Sequence, residues 1–161
     1  MSEISELLER FRRGAELVAA VTTGASNVEL DFVPPAGGWS VRQIVCHVGD
    51  AEMVCAARLR SIIAENRPHM LAFDQDAWTA NLNYKSRRIS EALDLFRTVR
   101  AANYELLKTL PEEAYARKGT HNQRGEITLL DVVRGLAEHA EGHAKQILGV
   151  REKYRESRKS A

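Results

Sequence analysis

The sequence lacks any excess of charge. Its 161 residues carry 23 Lys and Arg against 22 Asp and Glu, a formal net charge of +1, so no long-range field draws it to a polyanion. It also has no basic stripe with interleaved aromatics, and nucleic acid is therefore not expected as a partner. Long apolar runs are missing too, since nowhere do about 18 apolar residues follow one another. The segment Met1-Ser2-Glu3-Ile4-Ser5-Glu6 holds acids rather than an apolar core. Neither a membrane span nor a secretory leader is expected, and the protein is read as cytoplasmic. Cysteine is scarce. Cys46 and Cys55 fall nine residues apart in one predicted helix, about 13 Å at 1.5 Å per residue, which is beyond disulfide reach. Both read as reduced core residues. There is no internal repeat, no low-complexity segment and no convincing strand.

What remains is an amphipathic, helix-forming chain. A 44% hydrophobic content over 161 residues suits one domain with a substantial core, spanning 1–161. Ile4, Leu7, Leu8, Phe11, Ala15, Val18 and Val21 recur at helical spacing and predict a helix over 3–22. Gly24, Pro34, Pro35, Gly37 and Gly38 mark the connection that follows. Within it, Val28 to Val33 alternates apolar and polar without a visible partner, so it reads as an extended loop packed on the helices. Ser40 and Gln43 form a capping-box signature. The stripe Val41, Ile44, Val48, Ala51, Cys55, Leu59, Ile62 then carries a second helix to about Glu65, before Arg67-Pro68 breaks it.

Residues 67–85 keep no sustained period and read as a crossing over one end of the bundle with a short helical turn. A third helix starts near Ile89 and stops before Pro111. Residues 111–127 read as a loop, and Thr128 with Asp131 signals the cap of a fourth helix running from Leu129 to about Tyr154. Its basic tail, Arg151 to Lys159, is expected to stay solvated and to complement the helix dipole. Together these elements predict an all-α four-helix bundle with a long connection between helices 2 and 3, which permits a non-sequential topology.

The most informative positions lie in the seam of the last helix. Val132, Leu136, His139, His143, Ile147 and Val150 step by three and four residues, so His139 and His143 stand one above the other on the core-facing side. Two buried imidazoles without partners would cost several kcal/mol, whereas neutral rings on a divalent ion turn that cost into coordination. His47, three after Ile44, can point from the second helix toward the same place. Three imidazoles from two helices leave a position open on zinc or nickel, as catalytic rather than closed structural sites do. A water there would have its pKa lowered toward neutrality, or a thiol could bind as thiolate. Asp50, one turn after His47, is the candidate for catalytic orientation or proton transfer, with Glu138 and Glu141 as weaker ones. His69 and His121 fall in predicted loops and read as surface residues. Cys46 adjoins His47 but points about 100° away from it on a helix, and reads as core.

Three segments carry a resemblance. Gly37-Gly38-Trp39-Ser40-Val41-Arg42-Gln43-Ile44-Val45-Cys46-His47 resembles the second-helix motif of the DinB-like superfamily, in its YfiT-like branch. Asp74-Gln75-Asp76-Ala77-Trp78 is similar to that branch's mid-chain segment, and His139-Ala140-Glu141-Gly142-His143 to its last-helix motif. The resemblance covers nearly the whole chain and implies a four-helix bundle whose metal is held by His47, His139 and His143. Cys46 and Ala144 depart from it, since relatives often carry further histidines there. The resemblance also implies nickel or zinc, a homodimer, and a metal-dependent hydrolase or a transferase using a low-molecular-weight thiol on a small molecule. The alternative is a non-catalytic, stress-related binding protein whose metal is structural.

Overall fold

The structure, a computed structural model, describes residues 2–159. Its frame is four long helices: α1 (Glu3–Thr22), α3 (Val41–Ala64), α5 (Ile89–Leu107) and α6 (Leu129–Lys159). Between them lie two short helices, α2 (Asn27–Asp31) and α4 (Gln75–Asn81), and single 3-10 turns at Tyr84–Ser86 and Glu112–Ala116. Helix α6 packs against α1 and α3, and α5 packs against the same two from the other side. The first and second long helices therefore sit across a diagonal, which the long crossing between α3 and α5 allows. No helix among the described residues is long and apolar enough to cross a membrane.

Local chemistry sets the helix starts. Ser40 Oγ accepts from the Gln43 amide while Gln43 Oε1 accepts from the Ser40 amide, the reciprocal box that fixes the register of α3 and hence of His47. Thr128 and Asp131 do the same for α6: Asp131 Oδ2 accepts from Thr128 N and Oγ1, and Thr128 Oγ1 accepts from Asp131 N.

The interior holds two apolar clusters. One gathers Val18, Ile44, Val48, Phe96 and Ile147, the other Phe11, Leu59, Ile62, Leu107 and Leu136. Arg100 joins them, with its guanidinium over the rings of both Phe11 and Phe96. It is 1% exposed and donates to both oxygens of the equally buried Glu52, at 2.9 and 2.6 Å, and to the Phe11 carbonyl at 2.7 Å. A buried ion pair survives only when its remaining valences are met, and here Asn103 completes the shell on Glu52. Gly14 makes room for it, because a Cβ there would lie 2.9 Å from Arg100 Nη1 and 2.8 Å from the Ala140 methyl.

Four readings of the sequence need correction. The segment expected as extended, Val28 to Val33, begins inside the short helix α2, capped by Ser26, with Leu30 buried and Val28 exposed. The connections are not free of strands: β1 (His69–Met70) pairs parallel with β2 (Lys118–His121), which pairs antiparallel with β3 (Gly125–Thr128). These strands are too short for alternation to betray them. Their close approach depends on Gly119, where a Cβ would lie 2.7 Å from Met70 Cε and 3.1 Å from the Pro68 carbonyl. The last helix runs to Lys159 because its Arg, Glu and Lys are good helix formers. Arg151 in that tail is buried rather than solvated, donating to Glu29 and to the carbonyls of Val21 and Thr23.

Candidate metal centre

Two helices bring the histidines together. His139 and His143 stand one turn apart on α6, and His47 meets them from α3, packed alongside. The Nε2 of His139 lies 3.1 Å from that of His47 and 3.0 Å from that of His143, and the three donor nitrogens lie within 4.8 Å of one another. Neutral rings cannot satisfy such a meeting, since one N–H serves one neighbour and leaves other lone pairs facing each other. A cation resolves it. Metal–nitrogen bonds of about 2.0–2.1 Å put bound nitrogens about 2.9–3.4 Å apart for angles between square and tetrahedral, and both spacings at His139 fall in that range.

The tautomers agree with coordination. His143 Nδ1 lies 2.8 Å from Gln146 Oε1, an oxygen that can only accept, so the proton is on Nδ1 and Nε2 keeps its lone pair. His47 is 1% exposed, and its Nδ1 is a buried polar atom with no partner among the described residues. Trp39 tilts against the His47 ring at 4.9 Å between centroids, Phe73 stacks at 6.2 Å, and Trp78 backs Phe73 at 4.6 Å. These rings wall the site with low-dielectric surface. Burial pushes His47 down to about 4 and His139 to about 3, with the neighbouring imidazoles adding to the effect, and burial also lowers His143 against the opposing pull of Gln146. At neutral pH all three are uncharged imidazoles, so an ion would bind without first displacing an imidazolium proton.

Asp50 is 4% exposed and spends its carboxylate elsewhere. It accepts from Tyr84 Oη at 2.8 Å and from Arg87 Nη1 at 2.9 and 3.1 Å, and makes no hydrogen bond to the three histidines. Its charge still acts on His47, favouring positive charge there. Glu141 pairs with Arg10, and Glu138 is exposed. Cys46 is buried, its thiol pushed up to about 11 by desolvation, and Cys55 is partly buried; both are free thiols. His69 is exposed as expected. His121 is not: it is 6% exposed, on β2, and faces the same cavity as His47 and His139.

That cavity measures about 310 Å³ and is walled by Ala51, Phe73, Ile127, Val132 and Leu136, with Arg58, His121 and Arg124 also at its surface. A second opening, past Gly38, Trp39 and Gln146, reaches His143, and Gln75 lines both. The histidine cluster thus stands where two openings meet. Sequence reasoning missed Trp39, Phe73, Gln146 and the cavity's basic side chains. Of these, Gln146, three residues beyond His143, and Arg58, eleven beyond His47, had helical spacings that could have signalled their place.

The match that decides the family spans residues 10–147, the DinB superfamily. The chain belongs to the DinB superfamily. Among DinB relatives, a "Putative metal-dependent hydrolase" of Oceanobacillus iheyensis is 24% identical over 147 residues, covering 91% of this chain and 84% of that one. The "Putative metal-dependent hydrolase YfiT" of Bacillus subtilis is 31% identical over 108 residues, 67% of this chain and 61% of its own. The solved structure of YfiT from Bacillus subtilis, described as having an unusual four-helix bundle topology, superposes with a TM-score of 0.89. It does so at 22% identity, over 96% of this chain and 90% of that one. The all-α bundle expected from the sequence is therefore the DinB fold in its YfiT-like form.

Proposed function

We propose that this protein is a metal-dependent enzyme acting on a small molecule, with a divalent ion, zinc or nickel, held by His47, His139 and His143. The observation that carries this reading is the convergence of three Nε2 atoms beside an open cavity. Among the described residues no fourth His, Cys, Asp or Glu joins the cluster. A closed structural site would use four protein ligands, and three leave a position for an exogenous one. When bound there, the ion supplies Lewis acidity, making a water nucleophilic for hydrolysis or stabilising a small thiol as thiolate for transfer.

This chain's own residues do the rest. Gln146 holds His143 in its ligating tautomer. Trp39 and Phe73 exclude water from His47 and raise the strength of every charge interaction at the centre. Asp50, fixed by Tyr84 and Arg87, offsets the positive charge from behind α3 without touching the ligands, and acts as a positioning residue.

The test is turnover of a panel of small esters, amides and electrophiles, with and without glutathione, bacillithiol and mycothiol, before and after chelation. Metal-dependent turnover without thiol supports hydrolysis, and turnover only with thiol supports transfer. A chelated protein that loses its helical circular dichroism along with its metal would make the metal structural and overturn the reading.

A further inference from the structure

The cavity beside the histidines is polar at one end, and that end is positive. Arg58 on α3, His121 on β2 and Arg124 in the β2–β3 turn line it, and no carboxylate does. Among the described residues neither arginine forms an ion pair, whereas Arg42, Arg87, Arg100 and Arg151 each do. Asp131 feels the charge of Arg124, but its Oδ2 is committed to Thr128 and its Oδ1 lies toward Arg134. Arg58 is held in place by donating to the Leu71 carbonyl and by contact with Cys55 Sγ at 3.8 Å. His121 accepts from the Gln123 amide at Nδ1, so its proton sits on Nε2, and the residue lines the cavity with 6% of its surface exposed. Burial and the two arginines both depress the basicity of His121. At neutral pH it is therefore a neutral N–H donor close to two cations.

We propose that Arg58, His121 and Arg124 form an anion subsite, and that the small molecule taken by this cavity carries a carboxylate or phosphate group seated there. The placement of its reacting part at the histidines rests on the function proposed above, while the anion subsite stands on its own residues. The geometry gives the molecule a size. Arg58 follows His47 by eleven residues on α3, about 16 Å of helix axis, and its side chain leans back toward the helix N-terminus and so toward His47. The walls between are Ala51, Cys55, Val132 and Leu136. The fitting ligand is a compact molecule with an anionic head, a short apolar body and a reactive group at the far end.

Phenylacetate, phenyl phosphate and the neutral phenylacetamide are suitable probes, titrated calorimetrically into full-length protein purified with its metal. The comparison set is Arg124→Gln, Arg124→Lys and Arg124→Gln with His121→Gln, with metal content measured in every sample. Arg124 is exposed in a turn, so its replacements leave the fold intact, and circular dichroism checks the fold of the double variant, whose His121 is buried. Loss of a charge-assisted contact is expected to weaken the anions by about tenfold or more, leave phenylacetamide unchanged, and be partly restored by lysine. Which of the two anions binds more tightly distinguishes carboxylate from phosphate recognition. Equal affinity for anions and amide in the wild type, or an anion preference that survives the double variant, would overturn the subsite. An intact, Arg124-dependent preference in protein that holds no metal would sink the metal reading and leave this one standing.

Discussion

At the scale of single residues, the centre is an arrangement that a metal-free protein tolerates poorly. His47 is enclosed beneath Trp39 with an unpartnered Nδ1, and its Nε2 meets another imidazole nitrogen at 3.1 Å. Such groups resist protonation in the folded state. Their native values, about 4 for His47 and about 3 for His139, lie below the ordinary 6.5 that they regain on unfolding. The unfolded chain then binds protons that the native one rejects, so their contribution is complete above about pH 6.5 and is lost as pH falls toward the native values. Urea unfolding of chelated protein is expected to show about 4 kcal/mol less stability at pH 5 than at pH 7, about 2 kcal/mol from each imidazole, in a window where carboxylates barely titrate. The variant carrying His47→Gln and His139→Gln should lose most of that pH dependence. An identical slope in both proteins would mean that the imidazoles are not buried in this way.

At the scale of elements, legibility followed the length of the repeating pattern. The long helices α1, α3, α5 and α6 each gave several turns of apolar spacing, and the caps at Ser40 and Thr128 appeared where their side chains announced them. The histidine pair on α6 was visible for the same reason. The three strands of two to four residues were not, because a strand that short shows no alternation, and β2 depends on Gly119 for contact rather than on any apolar pattern. His121 was misread as a consequence, since its burial comes from the sheet and the cavity rather than from its own segment. The buried Glu52–Arg100 pair was equally invisible, because two charges on separate helices carry no mark of facing each other.

The capping box matters to function through register, since His47 lies seven residues beyond Ser40. Ser40→Ala is expected to cost about 1 kcal/mol in thermal or urea unfolding. Metal stoichiometry should stay at the wild-type value, because the packing of α3 on α5 and α6 holds the helix once formed. A loss of metal larger than the loss of stability would show that the cap itself sets the ligand geometry.

At the scale of the molecule, the non-sequential bundle solves a placement problem. With α1 and α3 across the diagonal, α6 can pack on both, so the ligand pair of the last helix faces a ligand from the second long helix. The crossing between α3 and α5 then supplies Phe73 and Trp78 as a wall, and the small sheet brings Arg124 and His121 to the lining of the cavity. Two apolar clusters joined by Arg100 support this frame from residues outside the metal centre. Removal of the ion should therefore remove only its linkage contribution to stability, a few kcal/mol for a tightly bound ligand, and leave the helices in place.

The central claim is that three imidazoles hold one divalent ion, and elemental analysis of protein purified without a histidine tag measures it most directly. The predicted result is close to one zinc or nickel per chain in the wild type, falling to near zero in His139→Ala, whose ring sits between the other two, while the variant keeps its helical circular dichroism. A folded wild-type protein without metal, or a His139→Ala variant with full occupancy, would contradict it.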